Sequence, residues 1–243
     1  MPLIINGLLI NTFFYQDNID TIFIPLLRKL TAMQRQKNRR LIVFIAAAPG
    51  TGKSALAAYL ENLSAQIKDA EPVQAAGIDG FHHTNRYLEE HHINNDLTQP
   101  LLKTVKGAPD SFDTDKLTCY LRRLREENII WPVYSRVSHD VDDNGILLNK
   151  KIILLEGNYL LLDKEPWKGL RDYAGYTIFL KADPGLLKQR LIDRKHAGGF
   201  ALSEAAAHYM HTDAPNVSVV NGHSARADLT LTLDAEMKYY IAH

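Results

Sequence analysis

The sequence predicts a three-layer α/β/α fold around a mainly parallel sheet, and three features carry that prediction. Leu41-Ile-Val-Phe-Ile45 is an unbroken β-branched and aromatic run, the composition of a parallel strand covered on both faces. A glycine-containing loop follows at once, and from Lys53 to about Ile67 the residues Leu56, Leu60, Leu63 and Ile67 recur on one helical face. Two further buried-strand runs, Lys151-Ile-Ile-Leu-Leu155 and Tyr176 to Leu180, complete the pattern of alternating strands and helices.

The N-terminal segment precedes this unit. Leu3 to Ile5 and Leu8 to Tyr15 read as two extended runs around Asn6-Gly7, a dipeptide suited to a tight hairpin. Ile19 to about Gln36 follows as a helix in which Pro25 marks a kink or the true start. Residues 1–40 are thus expected to form a hairpin and helix extension packed on a principal domain of residues 41–243, with no internal repeat, low-complexity tract or linker.

Within the principal domain, Pro72 to Ile78 is the second strand and ends at Asp79-Gly80. From Phe81 to Asp113 the chain is polar, rich in His and Asn and without a sustained period, which marks a long functional loop. Asp113 caps a helix with Leu117, Leu121 and Leu124 inside, and Cys119 is expected to pack with that stripe. Trp131 to Val133 is a short strand, and Asp142-Asp-Asn-Gly145 has the residue types of a turn. Asp183-Pro184 starts a helix that carries Leu186, Leu187 and Leu191 inside, and Asp228 to Leu233 is the closing strand.

Composition narrows the function. Hydrophobic residues at 46% and charged residues at 23% describe a folded globular chain, and 28 basic residues balance 28 acidic ones. No global field draws this protein to nucleic acid or to an anionic membrane, so phosphate recognition has to be local. The run Arg35, Lys37, Arg39 and Arg40 reads as a solvated helix end. One cysteine excludes an internal disulfide framework, and neither a secretory leader nor a membrane-spanning run is evident, so a cytoplasmic setting is expected.

The chemistry begins at Ala47-Ala48-Pro49-Gly50-Thr51-Gly52-Lys53-Ser54, between a buried strand and an amphipathic helix. Gly50 and Gly52 let the backbone turn so that successive N–H groups converge on phosphate oxygens at a helix N-terminus. Lys53 is placed to reach the β- and γ-phosphates and the Ser54 hydroxyl to ligate magnesium; Ala47 stands where this pattern usually begins with Gly. Asp79 ends a strand on the same sheet edge and is a candidate base for an acceptor hydroxyl, the alternative being a turn-forming Asp-Gly pair. Glu156, at the end of another buried strand, is a candidate for the magnesium side, against a strand-end acid with no role. Arg190 and Arg194 share a helical face and suit a clamp on a transferring phosphoryl group, against a surface ion-pair role. His82-His83 and His91-His92 lack the spacing and cysteine partners of a zinc site and fit hydrogen bonding to an acceptor or plain solvation. Tyr134, Arg136 and His139 are donors suited to a polar substrate, and Lys103 and Lys106 suit an anionic one.

In order, these motifs resemble the phosphoribulokinase, uridine kinase and pantothenate kinase superfamily of P-loop kinases, a P-loop NTPase-type fold, over most of residues 41–234. Asp79-Gly80-Phe81 resembles the Asp-Gly-Phe of pantothenate kinases, which implies a catalytic base at Asp79 beside a substrate wall including Phe81, His82 and His83. Lys106-Gly-Ala-Pro-Asp-Ser-Phe-Asp113 and Pro132-Val-Tyr-Ser135 are similar to the segments that flank the acceptor there. Together with Glu156-Gly-Asn-Tyr-Leu-Leu-Leu162, Pro166-Trp167 and Asp213-Ala-Pro-Asn216, they resemble a YggC-like bacterial subgroup that includes proteins labelled fructose-transport-system kinases. The resemblance implies ATP as donor with Mg2+, a helical lid carrying Arg190 and Arg194, and a small-molecule hydroxyl as acceptor. A sugar, polyol or related metabolite is the expected acceptor class; nucleosides and pantothenate-like alcohols are alternatives, and Ser135 stands where uridine kinases commonly carry Asp. A homodimer is compatible with this reading. The rival is a nucleotide-gated regulatory or adaptor ATPase, which has less need of a polar wall opposite the phosphate loop.

Overall fold

The computed structural model describes residues 2–5, 8–135 and 137–242. Six strands form its main sheet in the order β10-β9-β8-β3-β7-β4. β3 (Leu41–Ala47) lies between β7 (Ile152–Gly157) and β8 (Tyr176–Ala182), parallel to both. β4 (Val73–Gly77) extends the parallel set beyond β7, and β9 (Leu229–Leu233) extends it beyond β8. The last strand, β10 (Tyr239–Ile241), runs antiparallel at the edge. Because later strands flank β3 on both sides, the chain order reverses there, and the crevice beyond its carboxyl end is where open α/β sheets hold ligands.

Alternation along β3 feeds two cores. Ile42, Phe44 and Ala46 join one buried cluster with Trp131, Trp167 and Leu191. Val43, Ile45 and Ala47 join another with Leu56 and Leu60 of α3 (Lys53–Ser64) and with Leu27 and Leu30 of α2 (Ile24–Lys37). The N-terminal helix therefore shares its apolar face with the sheet. It begins as α1 (Gln16–Asn18) and passes through a π-helical turn at Ile19–Phe23 before α2. Pro25 sits in the first turn of α2, where the wider turn ahead accommodates its ring and missing donor. Ahead of it, β1 (Pro2–Ile5) and β2 (Leu8–Asn11) pair antiparallel, while the expected Asn6-Gly7 turn lies outside the described residues.

Several elements depart from the sequence reading. Asp142 to Gly145 is not a chain reversal: it lies inside β6 (Asp140–Leu148), which pairs with β5 (Ile129–Ser135) in a separate hairpin. The pairing jumps from Trp131 opposite Ile146 to Val133 opposite Asp142, so the turn-type residues form a bulge. Within it, Asp142 Oδ1 accepts from the Asn144 N–H at 2.9 Å. The polar 81–113 stretch contains a short helix, α4 (Asn85–Glu90), started by Thr84, whose hydroxyl accepts from the Tyr87 N–H.

α5 (Thr114–Leu124) and α6 (Pro184–Ala197) begin at the predicted caps Asp113 and Asp183. On α5, Cys119 is exposed, because the buried stripe is Leu117, Leu121 and Leu124 and Cys119 points away from it. α7 (Leu202–His208) and α8 (Ala214–His223), joined by a π-helical turn at Tyr209–Asp213, lack the apolar period that predicts a helix. Arg40 is not simply solvated: its guanidinium donates to the carbonyls of Leu124 at 2.8 Å and Lys150 at 3.0 Å, tying α5 to the start of the sheet. Among the described residues no helix is long and apolar enough to cross a membrane.

Candidate active site

The loop after β3 takes the shape that its glycines allow. Gly50 and Gly52 have φ of 80° and 95°, in the left-handed region where a side chain is strained. Thr51 locks the bend by donating its hydroxyl to the Ala48 carbonyl at 2.7 Å. Gly52 is the residue from which α3 starts, so Lys53 and Ser54 occupy the first turn, where free N–H groups and the helix dipole favour an anion. Ala48, Pro49, Gly50, Thr51, Gly52, Lys53 and Ser54 are thus brought together as one loop at the carboxyl end of the central strand.

Glu156 closes the other side. It pairs with Ile45 in the neighbouring strand, which delivers its carboxylate to the same sheet edge. Ser54 donates its hydroxyl to Glu156 Oε1 at 2.7 Å, and Lys53 Nζ lies 3.8 Å from Oε2. Gly77, opposite Glu156 in β4, leaves the room: a Cβ there would stand 3.1 Å from Oε1. Burial pushes the Glu156 carboxyl above its ordinary range; the Lys53 charge and the Ser54 hydrogen bond oppose this, and Asp79 adds to it. A buried carboxylate with a hydroxyl on it is an oxygen donor pair suited to a hard divalent cation such as Mg2+.

Asp79 follows β4 in a one-turn 3₁₀ segment, Asp79–Phe81. Gly80 is required there by contact, not by a reversed φ: a Cβ would come within 2.3 Å of the Pro132 carbonyl group. β5 therefore crosses directly over the segment and sets Asp79 beside Tyr134. Both line a cavity of 380 Å³ whose opposite wall is α6 and α7, through Leu191, Arg194, Lys195 and His208. Leu191 connects this cavity to the phosphate loop, since its Cγ lies 3.0 Å from where a Cβ on Gly50 would be.

The remaining predicted residues separate into several places. Arg194 faces the cavity, whereas Arg190 reaches the β10 edge and contacts Met237, with Tyr239 close enough to act on its charge, so the pair does not form a joint clamp. Phe81 is fully buried against Trp131 and Tyr120, 4.6 and 5.3 Å between ring centroids, and is core instead of substrate wall. His82 Nδ1 lies 2.9 Å from the Asp79 carbonyl oxygen and its ring lies tilted against Phe112, 3.7 Å between centroids; desolvation holds its pKa below the ordinary histidine value. His83 turns away and stacks on Tyr87. Lys106 donates to Asn85 Oδ1 at 2.7 Å and to the Tyr134 hydroxyl at 3.2 Å, behind the cavity wall. The imidazole of His139 is exposed; its carbonyl is what joins this network, accepting from Tyr134 at 2.8 Å. Lys103 pairs with Glu89 at 2.5 Å on the surface, and Arg136 lies outside the described residues.

Sequence reasoning did not single out Lys195, Phe200, His208 or Asp213 as lining residues. Only Asp213 carried a signal, as the first residue of the Asp-Ala-Pro-Asn motif. Its carboxyl sits 3.9 Å from His208 Nε2, and burial raises its pKa against the pull of His208, Arg194 and Lys195.

Comparison with known proteins agrees with this geometry. YggC of Escherichia coli strain K12 is 38% identical over 241 residues, covering 99% of this chain and 98% of that protein. Pantothenate kinase of Enterococcus faecalis is 30% identical over 158 residues, 63% of this chain and 48% of the relative. A solved structure from Silicibacter sp. TM1040, described as that of a candidate fructose transport system kinase, superposes with a TM-score of 0.72 at 29% identity, covering 84% of this chain and 98% of that one. The profile of the phosphoribulokinase / uridine kinase family matches residues 42–232. With that match running from within β3 into β9, phosphate loop included, the chain belongs to the phosphoribulokinase / uridine kinase family, whose members are P-loop kinases.

Proposed function

We propose that this protein transfers the γ-phosphoryl group of ATP to a hydroxyl of a small metabolite, a sugar, polyol or related alcohol. The observation that supports this reading best is the cavity at Asp79: it opens beside the phosphate loop, with Leu191 common to both, and leaves space for an acceptor where a plain nucleotide switch needs none.

In this reading the backbone amides of Gly50 to Ser54 hold the triphosphate, and Lys53 offsets its charge. Ser54 and Glu156 would hold magnesium, which when bound neutralises charge on the phosphate oxygens. Asp79 accepts the proton of the acceptor hydroxyl as that oxygen attacks the γ-phosphorus and ADP departs. Arg194 and Lys195, on the facing wall, offer positive charge to the group in transfer.

The test is a library of small alcohols screened for ADP release with ATP and magnesium, with products confirmed by the mass of one added phosphoryl group. Asp79→Asn is expected to keep nucleotide affinity and to lower kcat by ~100-fold or more, the range for removing a positioned base. Near-normal turnover in that variant removes Asp79 from the reaction. ADP release that no alcohol stimulates identifies a nucleotide-gated protein instead.

A further inference from the structure

Asp213 is an acid whose place in its helix leaves it without a donor. It stands just ahead of Ala214-Pro215, where sequence suggests a helix cap, yet its backbone is helical, φ −76° and ψ −42°, and its side chain accepts no capping hydrogen bond. The cause is the π-helical turn at Tyr209–Asp213, which carries α7 into α8 without a break, the Ala214 N–H donating to the Tyr209 carbonyl five residues back. A helix that continues through its cap position offers no unpaired N–H there. The same turn re-aims two side chains. Residues five apart in a regular α-helix stand roughly 140° apart around the axis. The wider turn instead brings His208 and Asp213 to one side, Nε2 3.9 Å from the carboxylate, and both line the Asp79 cavity.

The Asp213 carboxylate is enclosed but reachable. Its side chain is 14% exposed, and its oxygens, unlike the carboxamide oxygen of Asn158, are not sealed inside the protein. No described residue donates a hydrogen bond to them, and the approach of His208 is too long for one. Burial raises the carboxyl above its ordinary range although His208, Arg194 and Lys195 pull the other way. Holding a carboxylate away from water without donors is unfavourable, and in its ionised form it can only accept. A ligand that brings hydrogen-bond donors into the cavity satisfies it.

Charge selects among such ligands. Asp79 and Asp213 set two acids on the cavity, Arg194 and Lys195 two bases, and neither base is paired with a carboxylate among the described residues. A ligand ammonium is repelled by the two bases, and a ligand carboxylate or phosphate held against Asp213 is repelled in turn. A neutral hydroxyl meets neither penalty. Because a carboxylate has two oxygens, two neighbouring hydroxyls of one molecule suit it best. Phe200, 46% exposed on the same cavity, supplies apolar surface for the carbon skeleton that joins them.

We infer that Asp213 is a substrate-binding residue, which accepts hydrogen bonds from a pair of neighbouring hydroxyls on an uncharged polyol while a further hydroxyl of the same molecule meets Asp79. That this molecule is the phosphoryl acceptor rests on the kinase reading; the binding at Asp213 does not.

The probe is a panel of neutral polyols and sugars, namely glycerol, pentitols, hexoses and inositols, together with the monodeoxy and amino counterparts of any that bind. Each is titrated into full-length protein carrying ¹³C in its histidine rings. The His208 signal, assigned by its loss in His208→Gln, is expected to respond to polyols. Asp213→Asn keeps the shape and removes the charge, and is expected to weaken that binding by about 10- to 100-fold, the range for hydrogen bonds to a charged group. Deleting a ligand hydroxyl that Asp213 reads should weaken binding to the wild type by a similar factor and change binding to Asp213→Asn little, as a direct contact requires. Where the polyol is turned over, the variant should raise the acceptor KM and leave kcat nearly unchanged. Its thermal midpoint and ATP affinity should not fall, since no protein hydrogen bond is lost. The assignment is overturned if no polyol binds, if Asp213→Asn binds as the wild type does, or if deoxy ligands lose equally on both proteins. Amino alcohols binding more tightly than polyols would overturn it as well, and a midpoint falling together with ATP affinity would make Asp213 a structural residue. ADP release in the same samples judges phosphoryl transfer separately. Polyol binding that depends on Asp213 without turnover keeps the site and rejects the kinase reading, while turnover with an acceptor KM indifferent to Asp213→Asn does the reverse.

Discussion

Glu156 pays for its position, and the effect can be read in a titration. Burial raises its carboxyl above the ordinary range, with Asp79 adding to the shift and Lys53 and Ser54 only partly opposing it. A raised folded value means that the fold favours the protonated form. The associated stability is fully present below the ordinary carboxylate range and is lost as pH rises through the raised value. Glu156→Gln removes the titration, so without nucleotide or metal the variant is expected to melt above the wild type at pH 8, with a gap that narrows toward pH 5. Each kcal/mol corresponds to about 2–4 °C for a chain of this size. A gap independent of pH contradicts the account, and calorimetric or fluorescence melting across that range decides it. The residue types at this site were legible: the glycines, Lys53 and Ser54 form a motif between a strand and a helix, and Asp79 and Glu156 stand at or just past strand ends that periodicity locates. The contacts between them were not. Gly80 reads as a turn former in sequence, but its requirement comes from Pro132, a residue far along the chain whose approach no local pattern encodes. Arg190 and Arg194 share a helical face, yet one meets Met237 and the other the Asp79 cavity, because long side chains choose among tertiary neighbours.

At the scale of elements, the same divide recurs. Strands β3, β7 and β8 announce themselves through continuous apolar runs, since burial on both faces leaves no other composition. By contrast, α8 buries only Asn216, Val217 and Val220, and α4 only Leu88, so neither has a stripe for periodicity to find. The β5–β6 hairpin misled because turn chemistry and bulge chemistry use the same residues: Asp, Asn and Gly serve both. Gly145 is fixed by that bulge, since a Cβ would stand 1.9 Å from the Trp131 carbonyl oxygen. Gly145→Ala is therefore expected to force β6 away from β5 and to cost about 1–3 kcal/mol, the range for overpacking. Because β5 carries Tyr134 into the Asp79 cavity, the variant is expected to raise the acceptor KM more than the ATP KM. Equal changes in both would show that the hairpin acts on the whole site and not on its acceptor side.

For the molecule as a whole, the sheet separates stability from chemistry. The cluster holding Leu27 and Leu30 lies on the side of α2 and α3, while the cluster holding Leu191 lies on the side of the Asp79 cavity. Leu30 is fully buried, and Leu30→Ala is expected to cost about 2–5 kcal/mol through lost burial and the hole left behind. The unfolding transition should remain single, because α2 shares its apolar neighbours with β3 and has no core of its own. Well below the midpoint, nucleotide affinity and acceptor KM should match the wild type, since Leu30 packs in the cluster of α2 and α3 and does not line the Asp79 cavity. Leu191→Ala makes the opposite case. This residue lies against Gly50 and lines the Asp79 cavity, so its loss removes packing and loosens the wall between phosphate loop and acceptor space together. The expected result is a comparable loss of stability accompanied by a fall in kcat/KM at temperatures where both variants are folded. If Leu30→Ala impaired turnover as much as Leu191→Ala under those conditions, the two faces of the sheet would be mechanically coupled, and α2 would belong to the catalytic apparatus as well as to the core.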